Sequence, residues 1–333
     1  MAFAPFFFVT IILCLGCAPR QRQVQREALS ALTLTALQRV VFDARCIMCN
    51  EGCFASSALE GEVMRSIHFI SGLPRSGSTL LAALLRQNPR FHAHMSSPLA
   101  GMVDAMLGEM SDRNELSTFI TNEQRRRVLR GLFDGYYGQE MTASVIFDTS
   151  RTWCAKLPVL SGLFPDYRII ACVRHVSWIV DSLERAVQKN TLRPSFMVNF
   201  DTRGTIYNRV EGFATGEGIL GYSYNALKDA FFGEHAPHLM LLQYETLVRD
   251  PAMAMAAVYD FVGEPAFNHD FDNVHFDVGA FDDRTGMPGL HAVAAKVQAR
   301  GRETVLPPDI FRRFENDAFW RHAPSNIRGV RVV

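Results

Sequence analysis

The sequence predicts an α/β fold of three layers, a central parallel sheet flanked by helices. Two observations carry this. From residue 67 onward, short apolar runs bounded by turn residues alternate with stretches of helical periodicity. The first run, Ile67–Ser71, also passes through a glycine-bounded turn directly into a helix. In a strand–turn–helix of this kind, backbone N–H groups and the positive end of the helix dipole point at one anion.

The turn makes the fold P-loop-like. It reads Gly72-Leu73-Pro74-Arg75-Ser76-Gly77-Ser78-Thr79, close to the nucleotide-binding pattern G-x-x-x-x-G-K-[ST]. Ser78 stands where that pattern has lysine, and a basic residue, Arg75, stands three positions earlier. A tight βα connection would have the glycines without needing an arginine and three hydroxyls among them.

The elements follow in order. Leu80, Leu81, Leu84 and Leu85 recur at helical spacing, and Pro89 marks a stop. Arg90–Ala100 reads as a polar turn region with two histidines. Gly101–Gly138 reads as helical, Thr142–Phe147 as a strand ending at Asp148, and Arg151–Leu163 as a loop and helix. Tyr167–Val173 is a buried strand, and His175–Lys189 is a helix with Val176, Ile179, Val180, Leu183 and Val187 on one face. Residues 191–235 are expected to form inserted helices or a lid that shapes an acceptor site. Their aromatic side chains include Phe196, Phe200, Tyr207, Phe213, Tyr222 and Tyr224. His238–Tyr244 is a strand, Pro251–Val262 an amphipathic helix, and residues 267–333 a loop-rich closing segment with a helix at Pro308–Phe319.

Composition bounds the function. Basic and acidic residues balance at 34 each, so there is no global field for nucleic acid. Five of the 7 cysteines precede residue 54, and only Cys154 and Cys172 follow. That usage points to a reducing compartment, and a cytoplasmic location is expected. Cys46, Cys49 and Cys53 are three thiols without a fourth ligand nearby, so no metal is expected.

Residues 1–63 read as a leader separate from a domain over 64–333. Ala2–Ala18 is apolar apart from Thr10, but it is short for a membrane span and lacks a basic region before it. Met64 stands three residues before the first strand and is a natural start. A mis-set start is therefore expected, with a signal or membrane anchor as the alternative if the segment is retained.

A second motif follows a later strand. Arg174 comes directly after Tyr167–Val173, where α/β folds place ligand contacts. Ser182 lies eight residues on and about 120° off the apolar face of its helix, so it is not expected in the core. The two could share one phosphate. On spacing alone, a helix-start arginine and a surface serine fit as well.

Together these segments resemble the superfamily of sulfotransferases that use 3′-phosphoadenosine 5′-phosphosulfate (PAPS). PRSGST at residues 74–79 is similar to the first signature, and VRHVSWIVDS at residues 173–182 to the second. Tyr244-Glu245-Thr246-Leu247, then Asp250-Pro251 and a helix ending Phe261-Val262-Gly263, is similar to a third segment. The matches run in the expected order over residues 67–263. Arg75 and Lys156 look most like the bacterial and tyrosylprotein sulfotransferase branches.

The resemblance implies roles. The turn N–H groups with Ser76, Gly77, Ser78 and Thr79 would hold the 5′-phosphate, and Arg75 the bridging oxygen and sulfonate. Arg174 and Ser182 would bind the 3′-phosphate, and Lys156 would stabilise the leaving phosphate. Lys296 and Arg300, in a late basic stretch, would close over the cofactor; a solvated basic face is the alternative. The tyrosylprotein branch carries a glutamate near the position of Ser96, where this chain has no carboxylate. His94, with His92 beside it, is the nearest group able to take a proton near neutral pH. The implied activity is sulfuryl transfer from PAPS, without metal, to a hydroxyl acceptor such as a peptide or protein tyrosine. No nucleic-acid partner is expected, and a homodimer stays open. A Mg-ATP-dependent P-loop kinase or NTPase, and a non-catalytic 3′,5′-ADP-binding protein, are the competing readings.

Overall fold

The computed structural model describes residues 66–138, 143–192, 204–277 and 279–333. The chain divides into two units, Met1–Glu62 and Val63–Val333, and every described residue belongs to the second. The expectations for residues 1–63, and for Phe196 and Phe200, lie outside the described residues.

Six parallel strands form one sheet. They are β1 (Ser66–Gly72), β2 (Phe91–Ala93), β3 (Val145–Thr149), β4 (Ile169–Val173), β5 (Leu239–Gln243) and β6 (Arg331–Val332), in spatial order β2-β3-β1-β4-β5-β6. Chain order reverses between β1 and β4. Parallel sheets leave a crevice at such a switch point, outside the carboxyl ends of the strands.

Strand residues alternate between two apolar layers. Phe69, Ile169, Ala171 and Val173 pack on one face, with Phe133, Trp153, Leu160, Ile179 and Phe231. Ile70, Ile170 and Cys172 pack on the other, with Leu81, Leu84, Leu247, Met255 and Val258. Each strand is thus buried on both sides, which is why the strands read as continuous apolar runs rather than as alternating ones.

The helices begin and end where local chemistry dictates. Helix α1 (Ser78–Leu85) follows the turn, and it stops at Leu85, ahead of Pro89. The region read as helical from Gly101 to Gly138 holds two helices, α2 (Leu99–Glu109) and α3 (Asn122–Tyr137), with a 3₁₀ turn between them. Thr121 and Gln124 form a reciprocal capping box that starts α3. Helix α4 (Leu157–Leu163) follows β3, and α5 (Val176–Lys189) follows β4. The 191–235 region contributes α6 (Ile206–Ala214) and α7 (Ile219–Phe232). After β5 come α8 (Tyr244–Arg249) and α9 (Pro251–Val262). Asp250 accepts a hydrogen bond from the Met253 N–H, and Gly263 closes α9 in the left-handed region. The closing segment holds α10 (Gly279–Arg284) and α11 (Pro308–Arg313); the helix expected to run to Phe319 ends at Arg313.

Gly72 fixes the junction of β1 and the turn. Its φ is +105°, and a Cβ there would lie 2.2 Å from the Cys172 carbonyl oxygen on β4. Gly263 has φ +75° with open space around it. Gly263→Ala therefore carries only the left-handed penalty of about 1–2 kcal/mol, and Gly72→Ala costs more because the β1–β4 backbone contact must also open. Urea denaturation of the two variants should show Gly72→Ala as the less stable; equal midpoints would contradict this.

Candidate active site

The turn and the strand ends enclose a cavity of about 420 Å³. Gly77, Ser78, Thr79, Arg75, Arg151, Arg174 and Tyr244 line it, together with residues 290–300 of the closing segment except Ala295 and Ala299. Ligand cavities for molecules of nucleotide size span roughly 300–1,000 Å³.

The turn is built to approach a ligand closely. Gly77 caps α1 with φ +92°, and a Cβ there would meet the Tyr244 ring at 2.8 Å. No side chain caps the helix, and its first turn carries no acidic residue. The leading N–H groups of α1 thus remain available beside the Ser78 and Thr79 hydroxyls. Arg75 adopts φ +58°, the only non-glycine with positive φ among the described residues. Its side chain reaches Ser182 on α5 and the Leu290 carbonyl of the closing segment. Ser76 is buried, donates its hydroxyl to the Pro74 carbonyl at 3.3 Å and does not line the cavity.

Three guanidinium groups, of Arg75, Arg151 and Arg174, line the cavity, and a fourth, of Arg302, lines an adjoining crevice with Arg75. Arg75 Nε donates to Ser182 Oγ at 3.1 Å, and its Nη1 donates to the Leu290 carbonyl. Arg174 lies 4.4 Å over the Tyr244 ring, and its Nη1 donates to the Arg75 carbonyl at 3.3 Å. Arg302 donates to Asp181 at 2.8 Å. Arg151 follows the end of β3; its side chain reaches solvent from within a concavity with protein on most sides. Burial, then repulsion from Arg174, pulls the Arg75 pKa down to about 10. Burial lowers Arg174, Arg151 and Arg302 as well, and Arg302 adds to the effect at Arg174. Each cation would be favoured by an anion placed between them.

Two buried carboxylates border the site, and each already has partners. Asp181 on α5 accepts from Arg185, Arg302, the Thr304 hydroxyl and the Val305 N–H. It therefore pins the closing segment to α5. Asp282 on α10 accepts from the His291 backbone N–H at 2.8 Å and lies 2.6 Å from His291 Nδ1.

The structure distributes the expected site residues unevenly. Arg75, Gly77, Ser78, Thr79 and Arg174 line the cavity, as do Lys296 and Arg300. Lys296 is exposed and pairs with Asp272 at 2.7 Å. Ser182 is buried rather than at the surface, because the Arg75 side chain covers it. It lines a smaller crevice of about 110 Å³ with Arg75 and Arg302, so Arg75 stands between Ser182 and the main cavity. Lys156 lies off the cavity, with its ammonium 2.6 Å from Asp104. His94 also lies off the cavity wall, its ring 4.6 Å from His92. Burial and Arg86 lower the His94 pKa, and burial, then His94, takes His92 to about 4. Of the aromatics expected near an acceptor, Phe213 is in the core, Tyr224 packs on Phe319, and Tyr207 and Tyr222 are exposed. Among the described residues of that region, Ile219 lines the cavity.

Sequence reasoning passed over Arg151 and the Asp282–His291 pair. Arg151 was discoverable, since it follows a strand end just as Arg174 does. Asp282 and His291 meet only through the fold of the closing segment. Among the described residues no cluster of metal-ligating side chains occurs, and no helix is long and apolar enough to cross a membrane.

The site is thus a P-loop-type turn at the switch point of a parallel sheet, and this defines the class of protein. Residues 68–269 match the model of the sulfotransferase family. This is more than half of the chain, and the chain belongs to that family: it is a sulfotransferase. No curated protein matches the chain. Among solved structures it is similar to the sulfotransferase domain from the curacin biosynthetic pathway, at 19% identity and TM-score 0.40 over 61% of this chain and 75% of that one. It is similar also to the sulfotransferase domain of the Synechococcus PCC 7002 olefin synthase, at 20% identity and TM-score 0.41 over 76% and 95%. A sulfotransferase from Alicyclobacillus acidocaldarius matches at 16% identity and TM-score 0.40, over 78% of this chain and 92% of that chain.

Replacing Asp181 tests the anchor of the closing segment. Breaking a buried ion pair costs about 3–5 kcal/mol, but Arg185 and Arg302 are each about a third exposed. Asp181→Ala should therefore cost about 2 kcal/mol and speed proteolytic cleavage near residues 300–306. An unchanged cleavage rate would contradict the anchor.

Proposed function

We propose that this sulfotransferase takes its sulfuryl group from PAPS and delivers it to a hydroxyl acceptor, with a peptide or protein tyrosine as the first acceptor class to test. One observation carries the reading. Three guanidinium groups, those of Arg75, Arg151 and Arg174, line the cavity beside the uncapped start of α1 with their charges disfavoured by burial, and the nearby buried carboxylates are engaged, Asp181 by Arg185 and Arg302 and Asp282 by His291. Such a site suits a ligand with several separated anionic groups.

PAPS supplies an activated sulfuryl group on a 5′-phosphate, and a separate 3′-phosphate. In this reading the N–H groups of Gly77, Ser78 and Thr79 and the two hydroxyls hold the 5′-phosphate. Arg174 and Ser182 take the 3′-phosphate. Arg75 exchanges two neutral acceptors, Ser182 and the Leu290 carbonyl, for anionic oxygens, which bind a guanidinium more strongly. Its charge then lies where negative charge grows as the S–O bond breaks. The charge expected of Lys156 comes from Arg151, since Lys156 is tied to Asp104. Lys296 and Arg300 cover the site from the closing segment. Apolar wall residues such as Met95, Ile219 and Leu290 suit the ring of a phenolic acceptor.

A Mg-ATP kinase is less well supported. Ser78 occupies the lysine position. Asp148, near the end of β3, is fully buried with Tyr137 and Trp153 donating to its two oxygens at 2.6 and 2.7 Å.

Thermal-shift measurements separate the two. At a hundredfold excess over Kd, 3′,5′-ADP should raise the Tm of the full chain by about 5 °C, and Mg-ATP should raise it far less. The reverse order would overturn the reading. Arg75→Ala should lower the rate of 3′,5′-ADP release from PAPS by about 10²–10³-fold. A rate unchanged in a folded variant would remove Arg75 from the transfer step.

A further inference from the structure

We propose that His291 is the proton acceptor for the attacking hydroxyl and that Asp282 is the residue that positions it. The inference rests on the transfer reading above and adds the one role that reading leaves unfilled.

The geometry is that of an oriented base. Asp282 is buried, and its carboxylate accepts from the His291 backbone N–H at 2.8 Å while lying 2.6 Å from ring Nδ1. A carboxylate only accepts, so Nδ1 is the protonated nitrogen and Nε2 carries the lone pair. Nε2 makes no hydrogen bond among the described residues, and the side chain is a quarter exposed on the cavity wall. The backbone N–H alone would satisfy one carboxylate oxygen and hold the turn. The second contact serves only to fix the ring and its tautomer, the arrangement by which a buried acid orients an imidazole base.

The position is also right. His291 directly follows Leu290, whose carbonyl accepts from Arg75. His291 and Arg75 line the same cavity, and the Arg75 charge acts on the ring, so the imidazole and the guanidinium assigned to the sulfonate share one site. In the step, the acceptor oxygen forms a bond to sulfur as the bond from sulfur to the phosphate oxygen breaks. The hydroxyl proton passes to Nε2, the electron pair of the broken bond leaves with 3′,5′-ADP, and the new imidazolium faces Asp282.

The groups facing the ring are Asp282 on α10, Arg75 in the turn, Arg151 beyond β3 and the Phe281 ring at 5.7 Å. Burial lowers the His291 pKa most; Arg75 and Arg151 lower it further, and Asp282 opposes them. The balance favours the neutral ring, the form that accepts a proton. Activity should rise with pH through the His291 pKa and level off above it.

The test uses the full chain and its His291→Gln, Asp282→Asn and His94→Gln variants. Calorimetry reads 3′,5′-ADP binding. Release of 3′,5′-ADP from PAPS, with 2-naphthol as the acceptor probe and water alone as the control, reads transfer against pH. Nitrogen-15 NMR reads histidine tautomers without PAPS. The proposal expects His291→Gln to bind 3′,5′-ADP within about threefold of wild type and to lose about 10²–10⁴-fold in transfer, together with the acid limb of the pH profile. It expects Asp282→Asn to move that limb to lower pH and to disturb the Nδ1–H tautomer, which a purely structural aspartate would not do. A proton on Nε2 in wild type, transfer retained in His291→Gln, or an acid limb lost only in His94→Gln would each overturn it while leaving PAPS use intact. Absence of both binding and transfer in wild type would overturn this proposal and the transfer reading together.

Discussion

The close contact between β1 and β4 at Gly72 and Cys172 is the constraint on which the rest depends. Leu73 N–H donates to the Cys172 carbonyl at 2.9 Å, so the chain leaves β1 pressed against β4 before turning into α1. That junction brings the glycine turn and Arg174 to the same crevice. A side chain at residue 72 would hold the strands apart where the turn begins. The positive φ of Gly72, Arg75 and Gly77 follows from fitting a sharp turn between two crowded strands and Tyr244.

Charge organises what is built on that junction. Guanidinium groups come from the turn, from the ends of β3 and β4, and from the closing segment. Burial disfavours their charges, and at Arg75, Arg174 and Arg302 repulsion from neighbouring arginines adds to it, so an anion in the site would be favoured. Asp181 and Asp282 offset part of this cost, and each is also a mechanical anchor. One holds residues 302–305 to α5, and the other holds His291 to α10. The segment that covers the cavity is thereby coupled to the cations that line it.

Much of this was legible in the sequence. The β1–turn–α1 unit, β4 with α5, and α9 from Pro251 to Val262 were readable because apolar runs, glycines and caps are local signals. Strands β2 and β6 were not, since Phe91–Ala93 and Arg331–Val332 are too short for periodicity and exist through pairing with β3 and β5. Ser182 was expected off the core, yet it is buried, in contact with Arg75, 107 residues away in sequence. The placements of Lys156 beside Asp104, and of His291 beside Asp282, come from tertiary contacts that no spacing encodes. The resemblance supplied the family, and the residue match over 68–269 shows it.

The central claim is that this crevice recognises a nucleotide by two separate phosphates. Calorimetry comparing 3′,5′-ADP with 5′-AMP, on the wild-type chain and on Arg174→Ala, tests it most directly. The account predicts that the 3′-phosphate adds about 1.5–3 kcal/mol in wild type, the value of a hydrogen bond to a charged group, and that most of this disappears in the variant. Equal affinity of wild type for the two nucleotides would contradict it.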